Sequence, residues 1–325
     1  MGRTRSSSSG SATRRAPTAG IDERRQAVIR PSERSDRRYT MRAPPPAPNA
    51  GRWTIHEIID AAVLALLSAA GLLHPESPGT WFSSLAVSFA VLVVPVLSGA
   101  AIVTALSLRL GTRIQGPRLK PAPMAREAFE TARAMYVAAC LMAWPLTAWR
   151  LGHPTGLVWD LGEHGVSVWQ VLLQTVLGVV VIDAWLYWKH RLLHTRLLFG
   201  FHKGHHAFRD PTAFAGFAVA PVEALLTFWP ILFLCMPEAV HWAPLYFGLV
   251  VGFVNLNFYL HCGVTLSWVE KTLPRIFLNT SAFHNVHHAR ANTHFGEALY
   301  LWDVLCGTRL TGKPATEPAA ESAPG

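Results

Sequence analysis

Two long apolar runs stand out first in the sequence, over residues 55–73 and 81–108. The window that holds them contains no lysine or arginine, and a short stretch rich in proline and glycine, residues 73–79, separates them. About 20 apolar residues are enough for a helix to cross a bilayer, and clustered proline and glycine end a helix. The pattern therefore predicts a helical hairpin that crosses a membrane and returns. A third apolar run, residues 128–149, predicts a further helix.

The second half of the chain repeats this alternation of apolar runs and short polar breaks. Residues 166–188 form the clearest membrane helix, with one internal charge, Asp183, and three aromatic residues near its end. Tryptophan and tyrosine are enriched where membrane helices leave the bilayer. Two further apolar runs, 213–236 and 239–260, flank a Met-Pro-Glu break. They predict a second hairpin whose tip faces the outer side or lies within the bilayer.

Composition supports a membrane protein and sets the first 52 residues apart. Only 15% of the residues are charged, against about 25% in ordinary soluble domains. The net charge of +9 is concentrated in residues 1–52, which contain twelve arginines and four acidic residues. Because the excess of positive charge is confined to a tail, it argues against nucleic acid as a partner. Residues 1–52 and 312–325 have too few apolar residues for a core, so we expect both tails to be disordered.

The basic residues between the apolar runs predict an orientation. The loop 109–126 and the stretch 189–209 each contain five lysine or arginine residues, whereas the loop 151–166 contains two acidic residues and no basic one. Positively charged loops remain on the cytosolic side of a membrane. We therefore predict a multi-pass protein with both termini and the basic loops in the cytosol.

Eight of the fifteen histidines fall into three clusters, one HxxxH and two HxxHH. Residues three or four apart share a face of a helix, so the histidines of each cluster point the same way. Neutral imidazole is the commonest side-chain metal ligand. One more histidine at the end of an apolar run brings the candidates to nine, or four to five for each of two metal ions. The candidates are His190, His194, His202, His205, His206, His261, His284, His287 and His288.

The remaining histidines and nearby carboxylates have other expected roles. Five isolated histidines are expected to be ordinary hydrogen-bonded side chains: His56, His74, His153, His164 and His241. His294 is a candidate either for a ligand or for a residue that supports one. Carboxylates commonly orient metal-bound imidazoles, and Asp183, Glu297 and Asp303 are candidates for that role. Asp183 lies two helical turns before His190 and is expected to face the same side.

The number and type of ligands narrow the choice of metal. Imidazole suits Zn, Cu, Fe and Ni, but a structural zinc site needs only four ligands. The four scattered cysteines form no CxxC pair and indicate neither a disulfide framework nor an iron–sulfur cluster. An all-histidine dinuclear site at a membrane face fits iron that activates O2. The alternative is a membrane metal transporter or metal-binding protein without oxygenase activity, although only Asp183 and Glu223 offer charge well inside the later helices.

Taken together, these motifs resemble the sterol desaturase and fatty acid hydroxylase family. The resemblance covers roughly residues 166–310 and includes the three histidine clusters, the segment NTHFG at 292–296 and the segment LWDVLCGT at 301–308. Cys306 stands where the family often has an aromatic residue. The family consists of integral membrane di-iron enzymes that hydroxylate or desaturate lipids. The resemblance therefore implies that the eight clustered histidines are metal ligands and that His261 matches a further one.

The same resemblance implies the cofactors and partners. It implies two iron ions per chain, O2 as co-substrate, and a membrane lipid as substrate, whether a sterol, a fatty acyl chain or a related isoprenoid. The sequence HPTG at residues 153–156 echoes a haem-binding loop, but its short loop leaves no room for a haem domain. Electrons are therefore expected from an external electron-transfer protein.

The predicted fold class is all-α: an integral membrane helical bundle with a cytosolic, histidine-rich cap that holds two metal ions. The predicted segments are a disordered tail (1–52), a transmembrane hairpin with its basic loop (53–126), a transmembrane di-iron domain (127–311) and a second disordered tail (312–325).

Overall fold

The computed structural model describes residue 2 and residues 53–117 and 121–310 of the 325-residue chain. Both predicted disordered tails, apart from Gly2, lie outside the described residues. The described residues form ten α-helices: α1 (Ile55–Ala69), α2 (Pro78–Leu110), α3 (Met124–Arg150), α4 (Val168–Leu193), α5 (Phe199–His206), α6 (Pro221–Phe228), α7 (Ala243–His261), α8 (Ser267–Thr272), α9 (Ser281–Arg290) and α10 (Leu301–Leu305). Four 3-10 helices lie at Ala70–Leu73, Ala213–Phe217, Trp229–Cys235 and Leu273–Ile276.

The β-strands of the described residues form two short pairs, each of which connects two loops. Strand β1 (Thr112–Arg113) pairs antiparallel with β4 (Val264–Thr265). Strand β2 (Leu157–Val158) pairs parallel with β3 (His241–Trp242). The predicted all-α fold class is therefore confirmed.

Within the part of the chain that the structure describes, four helices are long and apolar enough to cross a membrane: Ile55–Leu73, Pro78–Leu110, Val168–Leu193 and Ala243–His261. They coincide with four of the predicted apolar runs. Large apolar side chains on them are exposed, as for Val91 at 64% and Val181 at 66%. Such a surface is suited to lipid contact, and we treat these four helices as the membrane-spanning segments of a membrane protein.

Local capping determines where the apolar helices begin. Thr54 and Glu57 form a capping box before α1, in which each side chain bonds to the other residue's backbone N–H. Ser167 and Gln170 form the same arrangement before α4. These reciprocal bonds satisfy N–H groups that a helix start leaves free, so both helices start at the polar edge of their apolar run.

Helix α3 is the most buried of the long helices and is not among the four spanning helices. It packs along α2 and against residues 213–235, and its contact surface is rich in alanine, which allows helices to approach closely. Its Glu127 is buried and accepts hydrogen bonds from the backbone N–H and the hydroxyl of Thr212. A helix enclosed by protein tolerates such polar residues, which explains its lower mean hydropathy.

The first arm of the predicted second hairpin is not one continuous helix. Residues 213–236 form a 3-10 helix, the short helix α6 and a second 3-10 helix. Pro221 and Pro230 each start one of these pieces, because proline lacks the N–H that a continuing helix needs. The arm nevertheless reaches the predicted outer loop, where the Gly156 N–H donates to the Leu234 carbonyl. The apolar run was thus located correctly, but its helical continuity was predicted wrongly.

Candidate metal centre

The nine histidines proposed from the sequence lie in two groups, and the potential ligand atoms of each group are within 4.8 Å of one another. The five-histidine group contains His190, His194, His202, His206 and His287. The four-histidine group contains His205, His261, His284 and His288. Each group includes enough nitrogen atoms to hold one metal ion.

Helix periodicity explains how neighbouring histidines reach different groups. Successive residues of an α-helix are turned by about 100°, while residues four apart share a face. On α5, His202 and His206 belong to the five-histidine group and His205 to the other. On α9, His284 and His288 belong to the four-histidine group and the intervening His287 to the other. Each HxxHH motif therefore contributes to both groups, and the expectation that all histidines of a cluster point the same way is wrong for these two motifs.

Backbone carbonyl groups determine the orientation and tautomer of three of these rings. Their Nδ1 atoms donate over 2.8–3.0 Å: His190 to Phe295, His287 to Thr293 and His261 to Asn257. A carbonyl oxygen can only accept a hydrogen bond, so the proton of each neutral ring is on Nδ1. Each Nε2 is then left with a free lone pair, which is the form that binds a metal.

The Nε2 atoms converge within each group. The Nε2–Nε2 distances are 3.2 Å for His194–His206, 3.1 Å for His206–His287, 3.3 Å for His205–His261, 2.9 Å for His261–His284 and 3.1 Å for His284–His288. The Nε2 atoms of His190 and His202 are buried without a hydrogen-bond partner among the described residues.

This arrangement fits a metal ion in each group. Imidazole nitrogens bind such an ion at about 2.1 Å, so two that meet it at a right angle are about 3 Å apart. The observed spacings of 2.9–3.3 Å agree with that value. Without a cation, several converging lone pairs would repel one another, and a proton can join only one pair of rings at a time.

Burial keeps these imidazoles neutral at physiological pH. The pKa of five rings outside the spanning helices is lowered far below its ordinary value by burial and then by neighbouring histidines: His202, His205, His284, His287 and His288. Burial likewise lowers the pKa of His194 and of His206 to about 3. Protons therefore do not compete with a metal for these nitrogens near pH 7.

One carboxylate contacts a ring of the five-histidine group, and it is Glu223. Its Oε2 atom is 2.7 Å from Nδ1 of His202, and both side chains are 2% exposed. Burial raises the pKa of Glu223 to about 8 and lowers the pKa of His202. In the metal-free protein, these two side chains together therefore carry no net charge. Sequence reasoning noted Glu223 only as a charge in an apolar run, although such a residue is itself a signal of function.

A buried ion pair lies beside Glu223 and is connected to its backbone carbonyl. The Lys189 ammonium is 2.6 Å from the Glu297 carboxylate and 3.0 Å from the Thr227 hydroxyl. The Thr227 hydroxyl donates in turn to the Glu223 carbonyl. These bonds join α4, α6 and the loop after α9. Glu297 therefore pairs with a lysine and not with a histidine.

The other two carboxylates singled out from the sequence act on the backbone around the site. Asp183 accepts from the N–H groups of Ala298 and Leu299 and from the Trp302 indole. Asp303, which is fully buried, accepts from the N–H groups of Phe295 and Gly296. Over residues 53–117 and 121–310, neither carboxylate hydrogen-bonds to one of the nine rings, so both support the site indirectly. Asp303 does so by holding Phe295, whose carbonyl orients His190.

His294 lies beside the centre without joining either group. Its Nδ1 donates to the Phe283 carbonyl, and its Nε2 accepts from the Leu310 N–H. The ring also stacks on Phe283 with centroids 3.7 Å apart. Because both of its nitrogens are bonded to backbone groups, His294 stabilises the fold beside the histidine groups. The prediction that it could be a metal ligand has no geometric support.

Most of the isolated histidines are hydrogen-bonded side chains. Four of them bond to nearby groups: His56 to the Leu197 carbonyl, His74 to the Ser77 N–H, His153 to Glu76 and His164 to the Asp160 carbonyl. The fifth, His241, differs from this expectation because its Nε2 has no partner among the described residues.

A cavity of about 40 Å³ borders both histidine groups. His190 and His202 line it from one group, and His205, His261 and His284 from the other. Phenylalanine side chains form much of its remaining wall. A volume of this size has room for about three water molecules, so a small molecule in the cavity would meet both groups.

Comparison with known proteins places this centre within a matched segment. Residues 175–308 match the family model described as fatty acid hydroxylase. Human lathosterol oxidase is 31% identical over 156 residues, covering 46% of this chain and 49% of the relative. The Delta(7)-sterol 5(6)-desaturase of Gibberella zeae is 31% identical over 160 residues, covering 47% and 42%. The methylsterol monooxygenase of Aspergillus fumigatus is 28% identical over 153 residues, covering 45% and 50%.

The chain spans about half the length of the curated relatives that it matches. No solved structure matches it significantly.

Proposed function

We propose, because residues 175–308 match the fatty acid hydroxylase family model and the chain is similar to a lathosterol oxidase and a sterol desaturase, that the protein is a di-iron enzyme that oxidises a membrane lipid. The reaction consumes O2 and either hydroxylates an unactivated C–H bond or introduces a double bond. The observation that carries the proposal is the convergence of nine neutral imidazoles in two groups that share one cavity.

The roles of the residues follow from their contacts. The nine histidines are the ligands, with one iron ion in each group. When bound, the two ions supply the activation of O2. The carbonyl groups of Phe295, Thr293 and Asn257 keep three ligand rings in the metal-binding tautomer, and Glu223 does the same for His202. Such supporting contacts commonly tune metal affinity.

The substrate that we propose is a sterol or another lipid with an extended apolar body. The relatives are named as a lathosterol oxidase, a sterol desaturase and a methylsterol monooxygenase. Phe217, Phe228 and Phe253 in the cavity wall would contact an apolar part of such a molecule. We further propose that it enters from the bilayer, that the histidine groups and both termini are cytosolic, and that an external protein donates the electrons.

The decisive experiment measures iron content and O2 uptake of the purified protein in detergent, with lathosterol and a reduced electron donor. We expect about two iron ions per chain and sterol-dependent O2 consumption. His205→Ala and His287→Ala, one from each group, should lower bound iron and end turnover while membrane insertion is retained. His153→Ala is the matched control, because that ring is half-exposed and pairs with Glu76.

Two outcomes would count against the proposal. Normal turnover in His205→Ala or His287→Ala would refute the ligand assignment. A metal-replete protein that consumes no O2 with any lipid and donor would instead favour the metal transporter or metal-binding alternative. If both variants lose turnover as expected, lipid profiles of cells with and without the gene would identify the substrate.

A further inference from the structure

Apart from the histidines, one side chain that lines the cavity has a buried polar atom without a partner among the described residues, and it is Asn257. Its Oδ1 atom is buried and makes no hydrogen bond to the described residues. The residue lies on α7, a spanning helix, one turn before His261. A polar group at membrane depth is costly unless it is bonded, and such residues commonly mark functional sites.

Outside the histidine groups, the other polar side chains of the cavity already have hydrogen-bond partners. Lys189 pairs with Glu297 and Thr227, and Glu223 pairs with His202. Among the described side chains of the cavity other than the histidines, the Asn257 amide oxygen is therefore the buried acceptor that is left for a ligand. The remaining wall, which includes Phe217 and Phe253, is apolar.

The position of this amide depends on a close approach by the chain at Gly216. A Cβ atom at residue 216 would overlap the Asn257 Oδ1 atom. Glycine thus allows the 3-10 helix Ala213–Phe217 to pass directly against the amide. The backbone carbonyl of Asn257 meanwhile accepts from His261, so the residue is held both to the ligand helix and to the opposite wall.

We propose that Asn257 orients the substrate by accepting a hydrogen bond from its hydroxyl group. This inference rests on the proposed function and adds a property of the substrate. Asn257 and His261 are four residues apart on α7, which corresponds to about 6 Å along the axis. The bound lipid therefore carries its hydroxyl group within a few carbon–carbon bonds of the carbon that is oxidised. A sterol oxidised in its hydroxyl-bearing ring meets this requirement, whereas a hydrocarbon chain oxidised far from its polar end does not.

The test compares binding of alcohols with binding of the matching hydrocarbons, which separates hydrogen bonding from apolar fit. Two pairs are used, lathosterol with cholest-7-ene and octadecanol with octadecane, and the dissociation constants are measured on protein in lipid nanodiscs. A hydrogen bond to a buried acceptor predicts an alcohol preference of about 5- to 10-fold for at least one pair. Asn257→Leu should reduce that preference to about 1-fold, with iron content unchanged because the substitution keeps the backbone carbonyl that orients His261.

Asn255→Leu is the matched control. Asn255 lies on the same helix but is exposed, and its amide already donates to the Val251 carbonyl. This variant should keep the full alcohol preference. Gly216→Ala is a second test, because it displaces the amide without removing it, and it should also weaken the preference.

The outcomes separate this inference from the proposed function. An alcohol preference that persists in Asn257→Leu, or that is missing from the wild type in both pairs, overturns the role of Asn257 even if iron binding and O2 uptake are normal. A wild type that binds no iron refutes the proposed function, whatever the binding ratio.

Discussion

Replacing Glu223 by leucine should weaken the binding of one iron ion and leave the binding of the other unchanged. Glu223 bonds to His202 over 2.7 Å, and His202 belongs to the five-histidine group alone. Leucine has a similar volume but leaves the Nδ1–H of a ring that is 2% exposed without an acceptor. Such a buried donor costs about 1–3 kcal/mol. That range corresponds to roughly a 10- to 100-fold loss of metal affinity, as is typical when a supporting carboxylate is removed.

The assay is dialysis of the iron-loaded protein against chelators of increasing strength, followed by metal analysis. We expect the wild type to keep about two ions per chain where Glu223→Leu keeps about one. Glu223→Gln retains an uncharged acceptor and should fall between them. Glu163→Leu removes an exposed carboxylate in the loop before α4 and serves as the control.

Two results would refute this reasoning. Retention of both ions by Glu223→Leu at wild-type affinity would show that the carboxylate does not support His202. Equal loss of both ions, with helical content unchanged, would show that the two groups do not bind independently.

Two further predictions concern acid stability and the support of His190. Folding lowers the pKa of His194 and of His206 from about 6.5 to about 3, so the unfolded chain binds more protons between these values. The metal-free protein should therefore lose stability as pH falls below about 6.5, by about 1.4 kcal/mol per pH unit for each ring, and a denaturation midpoint that is flat from pH 7.5 to 5 would contradict this. Asp303→Asn places an amide NH2 group against the N–H of either Phe295 or Gly296, which both donate to Asp303. This change should cost about 2–4 kcal/mol of stability and weaken iron binding by the five-histidine group. Thermal melting and iron analysis test this prediction, with exposed Asp160→Asn as control, and an unchanged melting temperature would disprove it.

Much of the site could be predicted from the sequence because its information is local. The spacing of HxxxH and HxxHH indicates which imidazoles share a helix face, and that depends only on helix periodicity. The apolar runs likewise located the four spanning helices, because hydrophobic length is a property of consecutive residues. What the runs could not show is helical continuity. Residues 213–236 are as apolar as a crossing helix, yet Pro221 and Pro230 divide them into short pieces.

The partners of the histidines could not be predicted, because they come from distant parts of the chain. Glu223 is 21 residues from His202, and Phe295 is 105 residues from His190. Asp183 was expected to turn toward His190 because both lie on one face of α4, but its carboxylate is bonded instead to residues 298–302.

The sequence by itself therefore determined which residues could bind metal and which helices could enter a membrane, since both follow from composition and from spacing along one helix. Only the tertiary structure decided how nine histidines divide into groups of five and four, because α5 and α9 each contribute to both. It also decided which carbonyl, carboxylate or amide each ring meets. Those contacts depend on how separate helices pack, and no local pattern encodes that packing.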